Sequence, residues 1–340
     1  MHRTRKNSFE IVIKFLAVAL VLSFLNLDRS VAAERPFRIG IALPGDLILS
    51  CVDGLKQGMN NLGFIEGQDV QYLFENSAGD KAKLIEITKR QLADKVNLIF
   101  TVTNTALADI VSLTKSSRTP VVFGTAAGPV ESGIVPAYAT RDAHITGVTS
   151  GSIDLTEKRL EVLREIFPQI KKIAMFVEIN GGSSKAAAAV ARKSADQFGL
   201  RLVERQIHNK QEVIEAAKKL TLSDADVMFQ LPGRSNSSAV GELAAITKNK
   251  RMPFAVYQSE HVRDHGALLS YGTSYFLQCK QSARLVGLIL KGTPVHQLPI
   301  ERPEKFELIL NLDIAKAIGV KFSAAILNRA DVLVRKDNNS

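Results

Sequence analysis

Leu98-Ile99-Phe100-Thr101-Val102-Thr103-Asn104-Thr105-Ala106-Leu107-Ala108 begins as an apolar run, passes through small polar residues and continues as an alanine- and leucine-bearing helical pattern. A short apolar run without alternation fits a strand buried on both faces, as a parallel sheet covered by crossover helices requires. The polar residues between strand and helix then fall at the carboxyl end of the strand, where open α/β sheets bind ligands. The spacing predicts a strand over 98–102 and a helix from about Thr105.

The same unit recurs on either side. Residues 38–43 read as a strand, and Leu55, Met59 and Leu62 recur at helical spacing before Gly63 ends the helix. Residues 70–74, 121–123 and 145–148 are further strands, and Leu84, Ile85, Thr88 and Leu92 mark the helix after the first of these. The rhythm restarts with a helix through Leu160, Leu163, Ile166 and Phe167, closed by Pro168. Strands at 173–177, 202–206, 227–230 and 254–257 follow, separated by helices over 184–198 and through Val213, Ile214, Ala217 and Leu220. This is an α/β chain of two doubly wound, Rossmann-like lobes with largely parallel sheets joined by a hinge. The expected division is 36–145 plus 266–296 for lobe 1 and 146–265 plus 297–334 for lobe 2. Hinge crossings are expected at 143–146, 264–267 and 294–298.

The loops at the predicted strand ends are rich in residues that expose backbone or cap helices. In the first half they hold Pro44-Gly45-Asp46, Thr103-Asn104-Thr105 and Gly124-Thr125-Ala126-Ala127. In the second half they hold Asn180-Gly181-Gly182-Ser183-Ser184, Pro232-Gly233-Arg234 and Gln258-Ser259-Glu260. Glycine admits close approach of backbone N–H groups, Ser, Thr and Asn supply caps and donors, and a helix N-terminus favours an anion. Any one such loop serves equally well as a plain cap; six at matching positions in two lobes point to a shared ligand cleft. Asp46, Thr103, Asn104, Thr105, Gly124, Thr125, Ala126, Asn180, Ser183, Ser184, Gly233, Arg234, Gln258 and Ser259 are the candidate ligand-binding residues.

Residues 1–33 carry the layout of a secretory signal peptide: Arg3, Arg5, Lys6 and Lys14, an apolar run over 15–25, and Val31-Ala32-Ala33 before Glu34. The run falls short of the ~20 apolar residues of a membrane-spanning helix. Removing this segment takes away five basic and two acidic residues, so the formal charge falls from +10 to +7. The remaining basic residues are interleaved with Glu and Asp, as over 212–219, and no basic run is punctuated by aromatics. This excludes a nucleic-acid reading and leaves an acidic small ligand compatible. Two cysteines, Cys51 and Cys279, are no disulfide framework, and separate buried thiols are expected.

Catalytic signatures are missing. The chain has no G-x-x-x-x-G-K-[ST] loop, no G-x-S-x-G elbow and no G-x-G-x-x-G after its first strand. His261 and His265 lie four apart with Val262, Arg263 and Asp264 between them, and Arg263 opposes a zinc site. No metal or other cofactor is expected.

Several ordered blocks carry a family resemblance. The run 101–108 resembles a "T-x-G-T-x-A-A" segment. Thr119-Pro120-Val121-Val122-Phe123-Gly124 with Gly128-Pro129-Val130 and Ser132-Gly133-Ile134-Val135 resembles a "P-I-V-F…D-P-V…G-L-V" block. Ile145-Thr146-Gly147-Val148, Lys158-Arg159-Leu160-Glu161-Val162-Leu163, Leu269-Ser270-Tyr271-Gly272 and Lys305-Phe306-Glu307-Leu308 complete the series. Together they are similar to solute-binding proteins of ABC transporters, in the branch with tryptophan- and phenylalanine-binding members, over about 38–334. The resemblance implies a type I periplasmic-binding fold, a small molecule such as an amino acid or related carboxylate held between the lobes, and delivery to an ABC permease. It also implies no chemistry on the ligand; a periplasmic location, after cleavage of the leader near Ala33, and a monomer are expected. Asn104 stands where that family has Gly, Ala127 where Asp precedes Gly-Pro-Val, and Glu178 with Gly181-Gly182 where Asn-Pro repeats are usual.

On this reading Thr103, Thr105 and the backbone over 124–126 hold the anionic end, Asp46 accepts from an ammonium, and Ser183, Ser184, Arg234 and Gln258 close over the ligand. A ligand-sensing module for a membrane receptor needs the same closing lobes. An exported enzyme on this fold is the third alternative, for which the cleft loops supply only Asp46 and Glu260.

Overall fold

The computed structural model describes residues 36–138 and 144–335; the leader expected over 1–33, and Ala143 of the expected hinge, lie outside the described residues. The first half builds β1 (Phe37–Leu43), α1 (Ser50–Asn61), β2 (Val70–Asn76), α2 (Lys81–Ala93), β3 (Leu98–Thr101), α3 (Asn104–Thr114), β4 (Val121–Ala126) and β5 (Ile145–Thr149). Its sheet is parallel throughout, in the order β2-β1-β3-β4-β5. Both faces are covered. Ile39, Ile41 and Leu43 of β1 enter one core and Ala42 the opposite one, so the apolar strand needs no polar alternation.

The second half continues with α4 (Thr156–Ile166), β6 (Lys172–Glu178), α5 (Gly182–Phe198), β7 (Arg201–Ile207), α6 (Lys210–Lys219), β8 (Val227–Phe229), α7 (Arg234–Ser238) and α8 (Val240–Asn249). Then come β9 (Phe254–Gln258), α9 (Ser259–Arg263), β10 (Leu269–Thr273), α10 (Tyr275–Leu290), β11 (Glu307–Asn311), α11 (Leu312–Ile318), α12 (Ala324–Arg329) and β12 (Val332–Val334). The second sheet runs β12-β11-β10-β9-β8-β6-β7 and is parallel except where β10 meets β11. Two doubly wound, mostly parallel sheets therefore share one chain, as the strand–helix rhythm requires.

The structure redraws the junction. The segment 266–296, assigned to lobe 1 from the sequence, divides: β10 hydrogen-bonds in the second sheet, while α10 buries Cys279, Ala283, Leu285 and Val286 in the core of the first. β5, at the expected boundary, runs wholly in the first sheet. The chain thus passes between the sheets at 150–155, at Ser274, and over 299–306. These crossings are bound to one another. Gln278 Nε2 donates to the Thr149 carbonyl at 3.0 Å, and Thr149 N donates to the Glu301 carbonyl at 2.8 Å.

The cysteines also differ from expectation: Cys51 and Cys279 are joined in a disulfide. The cause is the approach of α1 to α10. A Cβ at Gly54 would stand 2.2 Å from the Phe276 carbonyl oxygen, and one at Gly58 would stand 2.6 Å from that of Lys280. Only glycine allows such contact between helix backbones, and it brings the two cysteine Cα atoms to 5.0 Å across a sequence separation of 228.

Candidate functional site

The carboxyl ends of both sheets open onto a cleft of about 360 Å³, a volume suited to one small molecule. The first wall is mostly backbone and small side chains. Pro44, Gly45, Asp46 and Ile48 come from the turn after β1, Thr103, Asn104 and Thr105 from the start of α3, and Thr125, Ala126 and Ala127 from the end of β4. Helix α3 has no side-chain cap, so its leading N–H groups remain available at the cleft. Helices α5 and α7, which begin beside the same cleft, likewise lack a side-chain cap, whereas α2, α6 and α10 are capped by Asp80, Asn209 and Ser274.

The approach to α3 is strained. Thr103 holds φ 69° and ψ 153°, a region that non-glycine residues avoid at a cost of about 1–3 kcal/mol. Its N–H donates to the Thr125 carbonyl at 2.7 Å, which ties the β3 and β4 loops together. Asn104 Nδ2 adds 2.8 Å bonds to the Ala127 carbonyl and to Ser132 Oγ. The glycine-demanding backbone therefore lies at Thr103, one residue before Asn104. Asp46 is exposed; its Oδ1 accepts from Asn76 Nδ2 at 2.5 Å, and Gly45, rather than Asp46, precedes the short 3-10 turn it begins.

The second wall is built from larger side chains. Tyr257 and Tyr275, Gln258, Ser237, Ser238 and Arg234 face the cleft. Tyr257 Oη lies 2.7 Å from Ser237 Oγ and hydrogen-bonds to Tyr275; burial raises the pKa of both tyrosines. Arg234 reaches across the mouth and donates to the Gly79 carbonyl of the first half. Glu178 holds the start of α7 by accepting from Ser235 Oγ at 2.8 Å.

Behind this wall sit three buried ionisable groups. Glu260 accepts from Ser274 Oγ at 2.8 Å, and burial raises its pKa. His261 Nδ1 lies 2.9 Å from Gln230 Oε1, and burial, with His265 adding a smaller effect, pushes its pKa down to about 3. Arg159 is 3% exposed. Its Nη2 donates to the Ser152 carbonyl and, at 2.9 Å, to Thr156 Oγ1. Its guanidinium carbon lies 5.4 Å from the Phe229 ring centroid and 5.8 Å from that of Tyr257, and burial pushes its pKa down to about 9.

Of the residues singled out from sequence, Asp46, Thr103, Asn104, Thr105, Thr125, Ala126, Ser183, Gly233, Arg234 and Gln258 line this one cleft. Four do not. Gly124 is packed beneath it, where an added Cβ would meet Cys279 Sγ at 2.2 Å. Asn180 is exposed in the turn before α5. Ser184 is buried, its Oγ accepting from Glu178 N at 3.0 Å, and Ser259 is fully buried at the start of α9. Sequence reasoning missed Ser150, Tyr257 and Tyr275. The tyrosines sit at a strand end and a helix start within apolar surroundings, and such positions read as core.

No helix among the described residues is long and apolar enough to cross a membrane. The family model for "ABC transporter substrate binding protein" matches residues 38–334. A tyrosine-binding protein of Clostridioides difficile (strain R20291) is 22% identical over 268 residues, covering 79% of this chain and 76% of the relative. Among solved structures, a conserved domain protein from Vibrio cholerae aligns with a TM-score of 0.81 at 21% identity, over 88% of this chain and 100% of that one. An ABC domain from Streptococcus pneumonia in complex with L-Trp aligns at 0.80 and 18% identity, with the same coverage.

Proposed function

The chain belongs to the ABC transporter substrate-binding protein family, and from that premise we propose that it captures an amino acid in the cleft and delivers it to an ABC permease. The observation that carries this reading is the pairing of the uncapped start of α3 with two tyrosines across one small cavity. The leading N–H groups of α3 and the positive end of its dipole suit a carboxylate. Tyr257 and Tyr275 offer flat apolar faces for a side chain. Asp46 at the rim suits the ammonium, and Arg234 and Gln258 close over the ligand. The tyrosine-binding relative and the L-Trp complex direct the choice of probes towards aromatic amino acids.

In the mechanism we infer, each sheet with its helices moves as one lobe about the crossings at 150–155, Ser274 and 299–306. Ligand contacts made by both lobes exist only when the cleft is shut, so binding shifts the population towards the closed form. The Arg234 bond to Gly79 spans the mouth and belongs to that form. Export follows from the leader, with the mature chain starting at Glu34. The ligand leaves chemically unchanged.

Expression of the full-length gene, followed by native mass spectrometry of the exported protein, tests this directly. The expected result is a chain beginning at Glu34 that takes up one equivalent of L-tyrosine, L-tryptophan or L-phenylalanine and melts at higher temperature with it. A protein that carries no small molecule and shows no shift with any amino acid would overturn the reading.

A further inference from the structure

We propose that Arg159 is the ligand's buried counter-charge: a specificity-determining cation behind the cleft wall that makes an anionic group a requirement at its deep end. The inference rests on the cleft being the ligand site. Arg159 is 3% exposed, and among the described residues no Asp or Glu pairs with it. Its Nε and Nη1 have no hydrogen-bond partner among the described residues. A buried guanidinium without a counter-ion is costly, and a folded chain keeps one where something offsets that cost.

Its surroundings locate the compensating anion. The guanidinium packs against the ring of Tyr257, a residue that lines the cleft, and it holds the Ser152 carbonyl on the first crossing segment. Ser152 Oγ is 2.7 Å from Oγ of Ser150, which lines the cleft. Ser150 N donates to the Ala126 carbonyl at 2.8 Å, beside Thr125, whose carbonyl takes the Thr103 N–H. A short chain of contacts therefore links Arg159 to the uncapped start of α3. Through this chain the buried cation behind one wall is connected to the backbone donors of the other, with Ser150 the link that lines the cavity. Screening by water is weak there, so the charge acts across the intervening layer.

The test uses ligand indole fluorescence excited at the red edge, where the chain's tyrosines scarcely absorb and, with no Trp in the sequence, the protein contributes little. L-tryptophan and L-tryptophanamide share one aromatic body and differ in the anionic group. The wild-type protein is expected to prefer the carboxylate by at least about tenfold. Arg159→Lys should keep most of that ratio. Arg159→Met should cut that ratio several-fold, leaving only the preference of the α3 N-terminus, while melting no lower than wild type, because an apolar side chain of similar length removes the desolvation cost. A residue with only a structural role would weaken both probes equally and lower the melting temperature. An unchanged ratio in Arg159→Met, or no carboxylate preference in wild type, would overturn the proposal. Should the wild type bind neither probe, the amino-acid reading fails on its own, and benzoate then decides for Arg159. A melting shift with benzoate over chloride at equal ionic strength, lost in Arg159→Met, supports the counter-charge; its absence in wild type refutes it.

Discussion

The two walls of the cleft are made of different material. The first presents main chain: an uncapped helix start, a strained threonine and small polar side chains, on a sheet whose covering helices are stapled together. The second presents side chains: two tyrosines with their hydroxyls engaged, backed by Glu260, His261 and Arg159 in a buried polar layer. Backbone donors recognise what every amino acid shares, whereas packed rings and buried charges discriminate among ligands. On the function proposed above, the first wall would supply affinity for the common group and the second wall the choice of ligand.

The largest expected effect falls mainly on the first wall. The disulfide closes a loop with a sequence separation of 228, for which chain-entropy reasoning gives about 5 kcal/mol, with measured values for native bridges of roughly 2–5. Cys51→Ala with Cys279→Ala should therefore lower the denaturation midpoint sharply. The tyrosine wall belongs to the other sheet, apart from Tyr275 at the start of α10, so selectivity among aromatic ligands should survive in whatever fraction stays folded. Chemical denaturation with and without L-tryptophan measures both. A double variant as stable as wild type would show that the helix packing around Gly54 and Gly58 suffices.

A smaller effect sharpens the comparison from the second wall. His261 is 1% exposed, lies edge-on to Tyr257 with ring centroids 5.4 Å apart, and has its pKa pushed down to about 3. The unfolded chain takes up the proton near pH 6.5, the folded chain only near pH 3. Stability from this group is therefore complete above pH 6.5 and lost as pH falls towards 3, with a slope of up to about 1.4 kcal/mol per pH unit. Glu260, raised by burial, acts in the opposite sense, losing its contribution as pH rises above its ordinary carboxylate range. His261→Gln keeps a neutral donor for Gln230 and removes the titration. Melting temperatures between pH 7.5 and 5 should fall less steeply in the variant than in wild type; parallel curves would count against a neutral, buried His261.

The same division explains what could be read from sequence. The first wall is written locally: apolar run, small polar loop and helix follow one another within a dozen residues, so Thr103, Asn104 and Thr105 were legible. The second wall is written at a distance. Arg159 follows Lys158 on an amphipathic helix and looks like solvated surface until Phe229 and Tyr257 are folded over it. The disulfide depends on two helices brought together from opposite ends of the chain. β10 was misplaced because its pairing with β9 and β11, rather than its composition, decides its sheet.

The smallest expected effect returns to Thr103 and separates stability from binding on the first wall. Its φ of 69° is held by the bond from its N–H to Thr125 and by the entry into α3. Thr103→Gly relieves side-chain strain but adds backbone freedom to the unfolded chain, so the net gain should be about 1 kcal/mol or less. Its hydroxyl, 3.4 Å from Thr105 Oγ1 at the cleft edge, disappears in the variant. The expected outcome is a slightly higher denaturation midpoint together with a few-fold loss of L-tryptophan affinity, the carboxylate-over-amide ratio staying as in wild type because Arg159 still sets it. A loss of that ratio would mean that the first wall selects the anion as well as binding it, and the contrast between the walls would then collapse.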